Sequence, residues 1–137
     1  MTTDRSTYPP GEPVMIDLTE RDTSSEACRD TGVEIGGCYG ATASNSTGDE
    51  VWSSDAGPNS TPESCPAELT PTTIPGDFST TGRLSWAQDV CTQPVTNDQP
   101  NPDCPQTPVP SGTYRITGYW TATTFASPPV TIDITSS

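Results

Sequence analysis

Phe78-Ser79-Thr80-Thr81-Gly82-Arg83-Leu84-Ser85-Trp86 is the passage on which the fold turns. Phe78, Thr80, Gly82, Leu84 and Trp86 alternate with Ser79, Thr81, Arg83 and Ser85, the period of two that puts one face of a strand in a core and the other in water. The spacing predicts a strand over residues 77–88. Nothing elsewhere in the chain sustains apolar residues at a helical spacing, and no internal repeat is visible.

Outward from that strand the same alternation returns. Val14, Ile16 and Leu18 lie opposite Asp17 and Thr19 in residues 12–21, and residues 32–43 read as one or two short strands interrupted by Gly36-Gly37 and Gly40. Asn45-Ser46-Thr47-Gly48-Asp49 predicts a hairpin turn into Glu50-Val51-Trp52-Ser53-Ser54. Residues 113–122 set Tyr114, Ile116 and Trp120 against Arg115, Thr117 and Thr121, and Val130-Thr131-Ile132-Asp133-Ile134 is the last strand. Two long connections remain, residues 55–75 and 91–112, each studded with prolines that exclude helix and central strand and hold the chain at the surface. About seven short strands with turns between them predict an all-β, antiparallel sandwich, one domain over residues 1–137, with Val14, Ile16, Leu18, Trp52, Phe78, Leu84, Trp86, Ile116, Trp120, Ile132 and Ile134 facing inward. Trp52, Trp86, Trp120 and Tyr114 are the structural aromatics of that core.

Composition closes off chemistry. There is no histidine and no lysine among the 137 residues, so imidazole-based nucleophilic catalysis, histidine metal sites, Schiff-base chemistry and phosphate-loop lysines are absent. Carboxylates are the remaining acid and base groups at neutral pH, and no calcium-loop motif organises them; Asn97-Asp98-Gln99 and Asn101-Pro102-Asp103 read as solvated turns. No catalytic residue, metal ligand or cofactor site is therefore expected. A net charge of −13 with no basic stripe excludes a nucleic-acid backbone as partner, and the longest apolar run falls short of a membrane span. Asn45-Ser46-Thr47 and Asn59-Ser60-Thr61 fit the N-glycosylation pattern, which matters only in a host that glycosylates.

Five cysteines stand at positions 28, 38, 65, 91 and 104, with no C-x-x-C pair. In a polar chain whose hydrophobic fraction is 29%, they read as loop staples that offset a thin core, which implies an oxidising compartment. Proximity favours Cys28 with Cys38 and Cys91 with Cys104; Cys65 with Cys91 competes, and one thiol is left over, free or paired with another chain.

Tyr8-Pro9-Pro10-Gly11-Glu12-Pro13-Val14, the stretch from Leu18 to Cys28, Val51-Trp52-Ser53-Ser54, Ile74-Pro75-Gly76, Trp86-Ala87-Gln88 and Pro110-Ser111-Gly112-Thr113-Tyr114 come in an order that resembles bacterial immunoglobulin-like domains. The set looks like the intracellular proteinase inhibitor-like group and its secreted or lipoprotein-borne relatives. The resemblance implies an immunoglobulin-like sandwich, with Tyr114 placed as the tyrosine corner whose hydroxyl bonds back to upstream backbone. It carries no catalytic residue over, and the five cysteines and long inserted loops depart from the inhibitor prototype and favour an exported relative. The expected function is a non-catalytic extracellular or cell-surface adhesion module that binds a protein or surface ligand through loops, its signal or anchor segment lying outside these residues. The alternatives are a proteinase inhibitor acting through a stiffened loop within 55–75 or 92–110, and a carbohydrate-binding module using Tyr119, Phe125 and Tyr39.

Overall fold

The computed structural model describes residues 1–21, 28–30, 39–54, 72–74, 79–91, 107–120 and 126–137. These residues are all-β, with no helix among them: β1 (Thr2–Thr3), β2 (Thr7–Tyr8), β3 (Val14–Arg21), β4 (Cys28–Asp30), β5 (Tyr39–Ser44), β6 (Glu50–Ser53), β7 (Thr72–Ile74), β8 (Ser79–Trp86), β9 (Asp89–Val90), β10 (Thr107–Pro108), β11 (Gly112–Trp120) and β12 (Val130–Ile134). One sheet has the order β1-β3-β8 and a larger one the order β2-β12-β11-β5-β6; β4 with β7 and β9 with β10 form two-stranded ribbons. Every strand pair is antiparallel except β2 with β12.

The alternating stretches become the long strands. β3 pairs with β8 over its full length, from Val14 opposite Trp86 to Arg21 opposite Ser79, and β11 is flanked by β12 and β5. Period-two alternation then sends Val14, Ile16, Leu18 and Trp86 from one sheet, and Ala41, Ala43, Trp52, Tyr114, Ile116, Ile132 and Ile134 from the other, into a single buried cluster. Leu84 is half-buried at its margin. At Gly118 the two sheets approach so closely that the place of an absent Cβ is taken by the Leu18 side chain. Phe78 lies outside the described residues, as does the Trp120 side chain.

Three features exceed the sequence expectation. The N-terminal segment divides itself between the sheets: Thr2 and Thr3 pair with Asp17 and Ile16 of β3, whereas Thr7 and Tyr8 pair with Asp133 and Ile134 of β12. Tyr8 is wholly buried in the core. The chain changes sheets a second time after Trp86, where Gln88 takes the left-handed conformation at φ 63°. The residues that follow, β9 and Cys91, run beside β6, with Cys91 N–H donating to Val51 O at 2.8 Å and Ser53 N–H donating to Cys91 O at 3.1 Å. Finally, Thr72–Ile74 and Thr107–Pro108, inside stretches expected to be loop, form short strands. The prolines did not forbid them because β7 fits between Pro71 and Pro75, and Pro108 sits in an outer strand whose only described partner is β9.

Candidate functional site

The two ends of the molecule are built differently, and the closed end shows why. Pro9-Pro10-Gly11-Glu12 is a tight turn: Glu12 N–H donates to Pro9 O at 3.3 Å, and Gly11 supplies the φ of 77° that a side-chain-bearing residue adopts at a cost. Gln88 fastens this turn to the opposite strand. Its Oε1 accepts the Gly11 N–H at 2.8 Å, while Nε2 donates to Pro9 O at 3.0 Å and Glu12 O at 2.6 Å. Its own carbonyl accepts the Val109 N–H at 2.8 Å. Gln88 is the buried polar residue of the described core, and all four bonds serve to hold the chain where it changes sheets.

Trp52, Trp86 and Tyr114 meet beside this clamp. Trp52 stacks on Trp86 with ring centroids 5.8 Å apart, and Trp86 meets Tyr114 edge-on at 5.6 Å. The polar handles of the two inner rings are satisfied: Trp86 Nε1 donates to Asp89 O at 3.0 Å, and the Tyr114 hydroxyl donates to Pro110 O at 2.6 Å. Burial raises the Tyr114 pKa. The same end also holds the 45–49 turn, where Asn45 Oδ1 accepts the Thr47 and Asp49 N–H groups and the Thr47 hydroxyl. The Asn45 amide nitrogen is engaged with Asp49 at 3.3 Å, so the first glycosylation-type triplet is used as turn chemistry. The second, at Asn59, lies outside the described residues.

The opposite end is defined by register. Tyr39 pairs with Trp120, Arg21 with Ser79, and Tyr119 bridges to Ala126. The Leu18–Gly118 approach and the Trp86–Tyr114 contact put Arg21 and Trp120 at the same end of the facing sheets. Ser54, whose N–H donates to Ala41 O, emerges there, and β9 leads toward it beside β6. The described residues flanking 22–27, 31–38, 55–71, 75–78 and 121–125 belong to this end or to the small β4–β7 ribbon, whereas those flanking 92–106, Cys91 and Thr107, lie midway, beside Trp52 and Val90. Cys38, Cys65 and Cys104 fall in those segments, outside the described residues, as do the 97–103 turns. The Cys28 backbone is in β4, and Cys91, the last described residue before position 92, is disulfide-bonded to a partner that is not among the described side chains. The expected pairings Cys28–Cys38, Cys91–Cys104 and Cys65–Cys91 therefore lie outside what is described.

Several ionisable groups of the described residues serve structure. Asp4 Oδ1 accepts the Tyr8 hydroxyl at 2.5 Å and the Met15 N–H at 3.2 Å, and above all the tyrosine bond lowers the carboxyl pKa. Burial and that same carboxylate raise the pKa of Tyr8. Arg5, next along, pairs with Glu12 and more loosely with Asp4. Together they lock the crossing between β1 and β2. Asp17 is lowered by its two-pronged bond to Arg83, at 2.6 and 3.0 Å, and Asp49 by the Thr47 hydroxyl and the Asn45 amide. Among the described residues no group of His, Cys, Asp or Glu is arranged to hold a metal ion, and no helix is long and apolar enough to cross a membrane. An open groove of about 380 Å³ runs between residues 1–6 and Val130-Thr131.

Of the aromatics set apart for a contact surface, Tyr119 is half-buried, with its ring laid over Gly40 of the neighbouring strand, where a side chain on Gly40 would collide with it. Phe125 and the Tyr39 side chain lie outside the described residues. Sequence reasoning missed Gln88 as a clamp. Its signal is the Trp86-Ala87-Gln88 triplet after a strand and the Pro-Pro-Gly turn that needs tying down. No family model and no curated protein matches the chain.

Proposed function

We propose that this chain is a non-catalytic interaction module of the extracellular space or cell surface, an immunoglobulin-like sandwich that presents loops from one end. The observation that carries the reading is the asymmetry of the ends. Short, hydrogen-bonded turns and the Gln88 clamp close one end, while at the other gather the strand ends that flank residues 22–38, 55–78 and 121–125, and Cys91, before residues 92–106, runs parallel to β6 toward that end. A rigid scaffold with its long connections at one pole is the arrangement by which sandwiches bind partners. The immunoglobulin-like part is supported by the neighbours β12-β11-β5, by β3-β8 facing them, and by a tyrosine at the start of β11 that bonds to backbone four residues upstream. The disulfide at Cys91 supports an oxidising location. The anionic carboxylates held in turns and strand pairs suit a scaffold better than proton transfer.

The test is a binding assay of the intact protein on whole cells and immobilised surface proteins, with two altered forms. Replacing residues 92–106 by a Gly-Ser linker of equal length is expected to abolish binding, whereas rebuilding the 45–49 turn leaves it intact. Binding that follows the 45–49 turn overturns the proposal. So does near-stoichiometric block of a serine or cysteine protease by uncleaved protein, which would move the function to inhibition, or selective retention on a glycan array.

A further inference from the structure

The hairpin between β5 and β6 carries a motif that the proposed binding end leaves unused. Asn45-Ser46-Thr47 is an acceptor triplet for N-linked sugar, with serine in the middle place where proline is forbidden. A bulky sugar needs an exposed site, and the turn offers one: Ser46, Thr47, Gly48 and Asp49 are all exposed.

We propose that Asn45 is the acceptor of an N-linked glycan, delivered from a lipid pyrophosphate-linked oligosaccharide while the chain passes through a secretory compartment. In that transfer the bond from the sugar C1 to the pyrophosphate oxygen breaks and the lipid pyrophosphate leaves with its electron pair. Asn45 Nδ2 bonds to C1 and gives up one of its protons to the transferase. The hydroxyl that the triplet requires is presented with the amide: Thr47 Oγ1 lies 2.7 Å from Asn45 Oδ1, and the Thr47 N–H donates to the same oxygen at 3.0 Å. The disulfide at Cys91 supports passage through an oxidising compartment of the kind in which such transfer takes place.

The turn's own use of Asn45 is compatible with the sugar. A carboxamide nitrogen carries two hydrogens; Asn45 Nδ2 spends one on Asp49 Oδ2 at 3.3 Å, and the transfer replaces the other. Oδ1 keeps the Thr47 and Asp49 N–H groups that it accepts. The backbone bonds of the hairpin, Asn45 N–H to Asp49 O at 2.9 Å and Gly48 N–H to Asn45 O at 3.0 Å, do not involve the side chain. Every bond of the turn therefore survives glycosylation. The sugar stands at the end closed by the Gln88 clamp, so the strand ends at the opposite end stay uncovered. The inference shares the exported route with the proposed function and does not depend on its loops.

Secretion of the full chain behind a cleavable leader, in a cell that N-glycosylates, tests this, with Asn59→Gln as the background so that the second triplet adds no sugar. Peptide mass spectrometry is expected to find Asn45 glycosylated in most secreted chains and converted to aspartate by a glycan-releasing amidase. Ser46→Pro removes the triplet and suits the turn, since proline is favoured at the second of four turn residues and Ser46 has no positive φ to conflict with the ring. It is expected to fold as the parent does, which circular dichroism checks, and to carry no sugar; Thr47→Ala is expected to lose the sugar likewise. The glycosylated protein is expected to melt no lower than the same chain made without sugar. Folded, secreted protein with Asn45 bare overturns the proposal, as does sugar that persists at Asn45 in Ser46→Pro, or a glycosylated chain that melts lower. Because the leader supplies the route, a bare Asn45 leaves the binding role of the loops standing, and a failed binding assay leaves this inference standing.

Discussion

Gln88 and Asp4 do the same work in different charge states. Each is a single side chain that satisfies several backbone or hydroxyl groups where the chain leaves one sheet for the other. Replacing Gln88 by Ala strips three hydrogen bonds from the Pro9–Glu12 turn and keeps a side chain at a positive φ. We expect a loss of about 1–3 kcal/mol in urea unfolding, with Gln88→Gly, which suits that φ, recovering part of it. At Asp4 the effect is a dependence on pH. The carboxyl pKa is lowered from 3.8 in the folded protein by the Tyr8 hydroxyl, so the stability it lends is full above the unfolded value and is lost as pH falls through the lower folded one. Asp4→Asn is expected to flatten the acid limb of the stability profile below about pH 4, read by thermal melts across the pH series.

For the strands, alternation was a sufficient guide wherever one face is buried and the other wet. Val14, Ile16, Leu18, Trp86, Ile116, Ile132 and Ile134 are all in the core as their spacing requires. It failed at β1 and β2, because two-residue strands hold no period and Tyr8 is buried by its place in the sheet rather than by any pattern around it. The inward alanines of β5, Ala41 and Ala43, were invisible for a related reason: a small residue opposite a large one signals nothing until the facing sheet is known. Nor does a sequence tell which of two glycines in β11 is a spacer. Gly118 is one, since Leu18 of the facing sheet occupies the place of its missing Cβ. Gly118→Ala must push the sheets apart or displace that leucine, and a cost of about 1–3 kcal/mol is expected in equilibrium unfolding.

At the level of the whole chain the cysteines and the charge dominate. Composition led to the expectation that the thiols act as staples; Cys91 is disulfide-bonded, and the pairings expected from proximity along the chain lie outside the described residues. Cys91, held beside β6 by backbone hydrogen bonds, is disulfide-bonded, and reduction of that bond is expected to lower stability by about 2–4 kcal/mol, measured as the change in urea midpoint with and without a phosphine reductant. If reduction leaves the midpoint unchanged, the bond is not a staple.

The first strand segments close what the last strand leaves open. Tyr8 O accepts the N–H of Thr135, 127 positions away, and β2 lies along the free side of β12. On a ribosome, therefore, residues 7–8 wait without their partners until residues 133–135 have emerged and the sheet can be completed. Contacts of such separation slow folding and prolong exposure to wrong partners. A folding helper that shelters residues 1–8 in the meantime, or quick passage into another compartment, would relieve that delay.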